Sequence, residues 1–239
     1  MSNVDVRQDE RKSPSNAPDR HDPVPGFVDW ILGILAAIVG FGLTAASVLV
    51  YTQADQEAIR DIVTDQDVEP NGLTQEELIT AAEPFTDWLA VGLGVTGLAL
   101  VVFAAAFVYR RRQTRRRVSR EGGTTATFLP CTVYGAAVSS LISSVIPGLG
   151  ALAGGGVGAH LHNGDSSVRL GAATGLVSFA VTLPLLAAIG AGAVAGGAAI
   201  SEAGGGGLIA GVVIVSGLVG AAFNAGLGAL GGYLADRFA

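Results

Sequence analysis

The chain has 239 residues, of which 50% are hydrophobic and only 14% are charged, and its formal net charge is −6. About a quarter of the residues of a typical soluble domain are charged, so this composition argues against a soluble globular protein. The single cysteine, Cys131, excludes an internal disulfide and any multi-cysteine metal site within these residues. Thirteen arginines accompany one lysine, a skew typical of extreme halophiles and also of high-GC genomes.

Five apolar stretches interrupt the polar sequence. Each exceeds the roughly 20 residues that a helix needs to cross about 30 Å of hydrocarbon. We therefore predict an all-α fold: a polytopic helical membrane protein with about five transmembrane segments. The stretches are residues 27–51, 88–109, 128–161, 168–200 and 208–235.

The amino-terminal half divides into a tail and two spans. Residues 1–26 are rich in charge and proline, which predicts a disordered cytoplasmic tail. Residues 27–109 predict a two-span hairpin whose loop, 52–87, carries ten carboxylates against Arg60 and lies outside the cell. Within this loop we expect a short helix over 54–63. A second helix should begin at the capping box formed by Thr74 and Glu77 and run into the next span.

An arginine-rich linker, residues 110–127, follows the second span. Positive charge beside a span end is retained in the cytoplasm, so this linker anchors the topology. The alternatives are contact with anionic lipid head groups and binding of nucleic acid, and no specific nucleic-acid binding is expected because anchoring already explains the charge. The anchor residues are Arg110, Arg111, Arg112, Arg115, Arg116, Arg117 and Arg120.

Residues 128–239 predict a glycine-rich membrane bundle of about three segments. Small residues four apart share one helix face and allow two backbones to approach closely, as in a glycine zipper. The residues expected to carry these contacts are Gly150, Gly154, Gly158, Gly228 and Gly232. Residues 190–207, with many glycines, are expected to form a loose connection.

Two prolines interrupt this bundle. Pro147 lies in the middle of a stretch too long for one vertical span, which leaves two alternatives: a single kinked span or a re-entrant hairpin. The first places the carboxyl terminus outside the cell, and the second returns it to the cytoplasm. Pro184 divides the next stretch in the same way.

The bundle also carries a family likeness. The runs IPGLGALAGGGVGAHL (146–161), HNGD (162–165), RLGAATG (169–175) and GLGALGGYLA (226–235) resemble an uncharacterised family of glycine-rich multi-pass membrane proteins from halophilic archaea, defined as a domain of unknown function. His160 and His162 stand where tyrosine and polar residues are expected. The resemblance covers about residues 128–239. It implies a compact helical membrane domain and carries over no activity.

Few residues form patterns that suggest a catalytic or metal-binding site. His160, His162 and Asp165 lie within six residues, but a polar turn between spans explains them better than a metal site. The sequence contains no P-loop, H-E-x-x-H motif or rhomboid-like serine setting. We therefore predict no catalytic, cofactor-binding or metal-binding residues and no enzyme activity.

The composition and patterning together favour a non-enzymatic structural or interaction protein in the cell membrane, packing through glycine-rich helix faces. Its partners are the lipid bilayer and, in an alternative arrangement, further copies of itself; the sequence names no small-molecule ligand. The alternative function is a small-solute or ion transporter or channel subunit that uses the helix breaks at Pro147 and Pro184.

Overall fold

The computed structural model describes residues 24–53, 56–65, 73–121, 125–146, 148–162 and 166–238. These residues form eight helices and no strand, which confirms the all-α prediction for the described part of the chain. The helices are α1 Gly26–Gln53, α2 Gln56–Asp65, α3 Gln75–Glu121, α4 Phe128–Ser143, α5 Gly150–His162, α6 Ser167–Ala180, α7 Leu183–Ala199 and α8 Ala203–Phe238. Most of the expected amino-terminal tail, residues 1–23, lies outside the described residues.

Three helices are apolar and long enough to cross a membrane: α1, α3 and α8. Helices α6 and α7, bent by 44° at a short break, become a fourth candidate if they count as one span. The large apolar side chains of α1 and α8 are mostly exposed in the isolated chain, as expected for helices that face lipid. The described part of the chain is therefore all-helical, with three to four helices that could span a membrane.

Helix α3 is continuous over 47 residues, about 70 Å at about 1.5 Å per residue. It begins at the predicted capping box, where the Thr74 backbone N–H donates to the Glu77 carboxylate at 2.8 Å and the Glu77 N–H donates to Thr74 Oγ1 at 3.3 Å. It continues through Pro84 into the apolar stretch. Its last three turns, residues 110–121, make up most of the predicted arginine-rich linker, so that segment is helical.

Helices α1 and α3 pack as an antiparallel pair, with Gly40 against Gly97 and Gly33 against Val108. Helix α2, close to the expected 54–63, lays Ile59 and Val63 on Ile79 of α3. Helix α7 runs antiparallel to α3 on another face, with Gly92 against Ala188 and Gly196 against Ala81. The α1–α3 pair is thus joined to the rest of the bundle through α7.

The stretch around Pro147 forms a hairpin of two short helices. Gly154 lies against Gly135 and Gly158 against Cys131, so α4 and α5 run antiparallel. With 16 and 13 residues they are about 24 Å and 20 Å long, shorter than a bilayer core. Of the two alternatives left open by the sequence, the chain takes the hairpin. Its turn uses Gly148 at φ +91°, a backbone conformation that favours glycine.

The expected loose connection over residues 190–207 is wrong. Helix α7 continues to Ala199 and α8 begins at Ala203, leaving a three-residue turn in which Ser201 has φ 58°. Glycine weakens an isolated helix, yet here it allows close packing: Gly206 lies on the Ala193 carbonyl. Tertiary contact therefore overrides the low helix propensity of glycine.

Candidate functional site

A buried ion-pair cluster lies where α1 begins and the apolar part of α3 ends; we call it the Asp29 cluster. The Arg111 Nε donates to Asp29 Oδ1 at 3.1 Å and the Arg115 Nε donates to Asp29 Oδ2 at 2.9 Å. The Tyr134 hydroxyl donates to Asp29 Oδ1. Asp29 and Arg111 are each only 3% exposed. One carboxylate thus accepts bonds from three side chains of two other helices.

The two guanidinium groups also reach backbone carbonyls. Arg111 Nη1 donates to the Thr125 carbonyl at 2.8 Å, and Arg115 Nη2 donates to the Val24 carbonyl at 2.9 Å. The Arg111 guanidinium lies 5.6 Å from the centre of the Tyr134 ring, within cation–π range. A buried charge is tolerated when it is paired and its remaining donors are bonded. The cluster meets that condition while joining α1, α3 and α4.

The packing around the Asp29 cluster is apolar. Val24 and Phe107 are buried with Tyr134, and the rings of Phe107 and Tyr134 meet edge to face with centroids 6.1 Å apart. Val24 belongs to the segment expected to be a disordered tail, so the end of that segment is docked on the bundle. The hydrophobic surroundings strengthen each ion pair by excluding water.

The structure separates the predicted anchor arginines by environment. Arg111 and Arg115 belong to the Asp29 cluster, whereas Arg112 lies over the Trp30 ring at 5.8 Å. Arg117 pairs with Glu121 one helical turn later at 2.8 Å, and both side chains are exposed. The other three anchor arginines are exposed along the end of α3: Arg110, Arg116 and Arg120.

All five predicted packing glycines face the backbone or side chains of a neighbouring helix. A Cβ added at Gly154 would strike the Gly135 carbonyl oxygen, and one at Gly158 would lie 3.0 Å from the Cys131 carbonyl oxygen. At Gly150 the added atom would strike Ser143 and the Ser139 carbonyl. These three residues close the α4–α5 hairpin.

The other two packing glycines connect α8 to α6. A Cβ at Gly228 would strike the Gly171 carbonyl oxygen, and one at Gly232 would strike that of Ser167. Gly226, two residues before Gly228, has nothing within 4 Å of an added Cβ. The close approach is therefore confined to one face of α8.

The tip of the α4–α5 hairpin lies near the bend between α6 and α7. Ser139 Oγ donates to Ser178 Oγ at 3.3 Å, and Ser178 precedes the Val181–Thr182 turn. Gly220, near the middle of α8, contacts the ring of Phe179. The α5 half of the hairpin contacts α8 nearer its carboxyl end, with Leu152 against Gly231, whereas the α6–α7 bend lies near the middle of α8. On α6, Thr174 Oγ1 is fully buried without a hydrogen-bond partner among the described residues.

The histidine pair does not form a metal site in the described structure. His162 Nδ1 lies 3.1 Å from the Ala126 carbonyl and its ring meets Phe128 edge to face, while His160 is exposed. Asp165 lies outside the described residues. Over the described ranges, no three residues of the metal-binding types His, Cys, Asp and Glu come together.

The Asp29 cluster was not predicted from the sequence. The arginines were predicted as a topology anchor, and Asp29 was given no role. A signal was present, since an antiparallel two-span hairpin brings the start of the first span beside the end of the second. Asp29, three residues into α1, therefore lies beside the arginines that directly follow the second apolar stretch. Nothing in the sequence indicated Tyr134, which comes from a third helix.

Comparison of the chain with protein-family models, curated proteins and solved structures found no match. The resemblance to the haloarchaeal membrane family stays a prediction, and the site has to be interpreted from its own geometry.

Proposed function

We propose that this protein is a non-enzymatic, multi-pass membrane protein whose role depends on close helix packing through glycine faces. The observation that carries the proposal is that all five glycines chosen from their spacing lie where an added Cβ would strike or crowd a neighbouring helix. In lipid, such close approach replaces the hydrophobic effect as a cause of helix association. These contacts join α4 to α5 and α6 to α8 within one chain.

We further propose a topology of four crossings and one re-entrant hairpin. Helices α1, α3, the α6–α7 pair and α8 cross the bilayer, and the α4–α5 hairpin enters and leaves on one side. The arginines at the end of α3 place that side in the cytoplasm. Both ends of the described chain then lie in the cytoplasm, and the acidic segment around α2 lies outside. This replaces five crossings because neither half of the hairpin is long enough to cross.

A matched pair of substitutions on α8 tests the packing proposal. Gly228→Leu places a side chain against the Gly171 backbone, whereas Gly226→Leu points into open space. We expect Gly228→Leu to reduce the folded, monodisperse fraction after detergent extraction, and Gly226→Leu to leave it unchanged. Gly154→Leu should behave as Gly228→Leu does. Size-exclusion chromatography with light scattering measures both folding and the number of copies.

Equal behaviour of Gly228→Leu and Gly226→Leu would contradict packing through this face. If Gly228→Leu instead remains folded and changes only the number of copies, the glycines act between chains.

Solute transport is the second candidate function, and a different observation favours it. The hairpin tip and the α6–α7 bend lie near each other, and the hydroxyls of Ser139, Thr174 and Ser178 gather there. Discontinuous helices at mid-bilayer line the substrate sites of many transporters. Non-helical backbone is tolerated at that depth only beside protein or water.

Reconstituted vesicles test this second function. Transport predicts solute or ion flux above protein-free vesicles, and Thr174→Val should reduce that flux because it removes the buried hydroxyl while keeping the volume. Thr52→Val, an exposed threonine at the end of α1, is the control. Flux equal to that of empty vesicles would contradict the transport function without affecting the packing proposal.

A further inference from the structure

A cavity of about 370 Å³ lies between the first turns of α3, the end of α7 and the start of α8. We propose that it binds a cationic amphiphile, a molecule with a bulky apolar body and one delocalised or shielded positive charge. The volume falls within the range of small-molecule sites, about 300–1,000 Å³. The proposal concerns the opposite end of the bundle from the Asp29 cluster and does not rest on the packing function.

The walls of the cavity are apolar. Leu78 and Phe85 project from α3, and Ile200 and Ile209 close the other side, at the end of α7 and on α8. A ligand body that fits here gains about 25 cal/mol for each Å² of apolar surface removed from water. The walls thus favour a hydrophobic body and offer nothing to orient a polar one.

Glycines fix the shape of the cavity. Gly196 and Gly206 allow α7 to approach α3 and α8 so closely that an added Cβ would meet the Ala81 and Ala193 carbonyls. Gly205 differs, because its added Cβ points into space and its nearest neighbour is Glu202 Oε2 at 3.8 Å. The space beside Gly205 is therefore open, while the helices around it are held in place.

Among the described residues that line the cavity, Glu202 is the one that carries a charge. Its backbone is fixed in the α7–α8 turn, where its N–H donates to the Gly197 carbonyl at 2.7 Å and its carbonyl accepts from the Gly206 N–H at 3.2 Å. In the described part of the chain no lysine or arginine lines the cavity, and Glu76, Glu77 and Glu83 lie on the neighbouring first turns of α3 but outside the lining. Negative charge at the rim of an apolar site attracts cations and repels anions.

The negative charge of Glu202 favours some hydrophobic ligands over others. An anionic lipid would bring its head group towards Glu202, and the acyl chain of a neutral lipid would not use the carboxylate at all. A molecule whose positive charge lies beside an apolar body satisfies both parts of the site at once.

Equilibrium dialysis of the full chain in neutral detergent tests the proposal. The probe is tetraphenylphosphonium, and the comparison ion is tetraphenylborate, which has nearly the same shape and the opposite charge. We expect saturable binding of the cation above protein-free micelles, little binding of the anion, and weaker binding at high salt. Glu202→Gln should lower the affinity for the cation about tenfold, the scale of one charge interaction at a partly screened site.

A matched pair of glycine substitutions locates the binding. Gly205→Leu fills the cavity and should also weaken binding about tenfold. Gly207→Leu has nothing within 4 Å of its added Cβ and does not line the cavity, so its affinity should match that of the unchanged chain. Equal affinity for the two ions, or binding no greater than in empty micelles, would overturn the proposal. So would unchanged binding in Glu202→Gln; because Glu202 is exposed, this variant decides the matter even if Gly205→Leu fails to fold.

Discussion

At the scale of single residues, the Asp29 cluster brings a buried carboxylate and a buried guanidinium group together. Asp29 accepts from Arg111, Arg115 and Tyr134, and the two arginines bond two carbonyls as well. Desolvating these charges is costly, and their pairing offsets that cost only while every partner is present. The cluster is therefore a place where one substitution has effects on three helices.

Asp29→Asn should destabilise the fold strongly. It leaves two guanidinium groups in a buried site without their counter-charge, and breaking a buried pair in this way costs about 3–5 kcal/mol. The matched control is Glu121→Gln, which breaks the exposed pair with Arg117 and should cost less than about 1 kcal/mol. Unfolding by SDS titration in mixed micelles measures both. Equal losses in the two variants would contradict a structural role for the Asp29 cluster.

The capping box at the start of α3 should make that end of the helix sensitive to acid. The backbone N–H and hydroxyl of Thr74 hydrogen-bond the Glu77 carboxylate and hold its pKa below the usual value. Stabilisation from a lowered pKa is present above the unfolded pKa and is lost as the pH falls through the folded one. The first turn of α3 should thus loosen only in acid, as measured by amide hydrogen exchange at residues 75–78.

Two variants separate this effect from general acid loosening. Glu77→Gln retains a capping acceptor that does not titrate, so exchange at the first turn should lose its pH dependence beyond the intrinsic rate. Thr74→Ala should give a loose first turn at every pH. Acid loosening that persists in Glu77→Gln would assign the effect to another group.

At the scale of elements, the short hairpin and the bent pair distinguish this bundle from a set of simple spans. Helices α4 and α5 are each too short to cross, and they are held together by glycine contacts along their whole length. The α6–α7 pair bends near the hairpin tip. The residues of the hairpin tip and of the bend are exposed in the isolated chain, and the nearest contact between the two elements is the hydrogen bond from Ser139 to Ser178.

Gly148→Ala should weaken the α4–α5 hairpin. Gly148 has φ +91°, which a residue with a Cβ adopts at a cost of about 1–2 kcal/mol, and nothing lies within 4 Å of an added Cβ. The effect is therefore one of backbone conformation alone. Gly226→Ala, also in open space but helical, is the control and should stabilise by up to about 1 kcal/mol. Thermal unfolding in detergent compares them; destabilisation by both substitutions would contradict this reason.

At the scale of the whole molecule, the helix bundle has an arginine-rich end and a carboxylate-rich end. The arginine end of α3, the start of α4 and the end of α8 lie at one end of the bundle, joined through Thr125, Ala126 and Ser167. The carboxylates of α2 and of the first turns of α3 lie at the other end. Positive charge beside membrane spans is retained in the cytoplasm. The proposed topology of four crossings and a hairpin therefore requires this separation of charge.

Labelling of single cysteines with a membrane-impermeant thiol reagent tests the topology. In a Cys131→Ser background, Asp61→Cys should react on intact cells, whereas Arg169→Cys and Phe238→Cys should react only after permeabilisation. All three positions are exposed in the structure. Ser119→Cys, next to the arginines, is the cytoplasmic control. Reaction of Arg169→Cys and Phe238→Cys on intact cells would restore five crossings and an external carboxyl terminus.

Local sequence signals predicted much of the fold. The apolar helices, the capping box at Thr74 and the break between α4 and α5 each depend on neighbouring residues, and the structure has all three. Helical order at residues 190–207 and at the arginine segment was not predicted. In the first case packing of Gly196 and Gly206 outweighs glycine's low propensity; in the second, the arginines are good helix formers that simply continue α3.

Local sequence patterns are enough to predict that the described chain is helical, that several helices suit a membrane, and that positive charge follows the second apolar stretch. They do not predict that Asp29, Arg111 and Tyr134 meet or that a cavity beside Glu202 stays open, and they left open whether the chain doubles back between α4 and α5. These features depend on interactions over different distances along the chain. Hydropathy and capping act within a few turns of helix, whereas an ion pair across 82 residues or a glycine contact between α8 and α6 exists only once separate helices have packed.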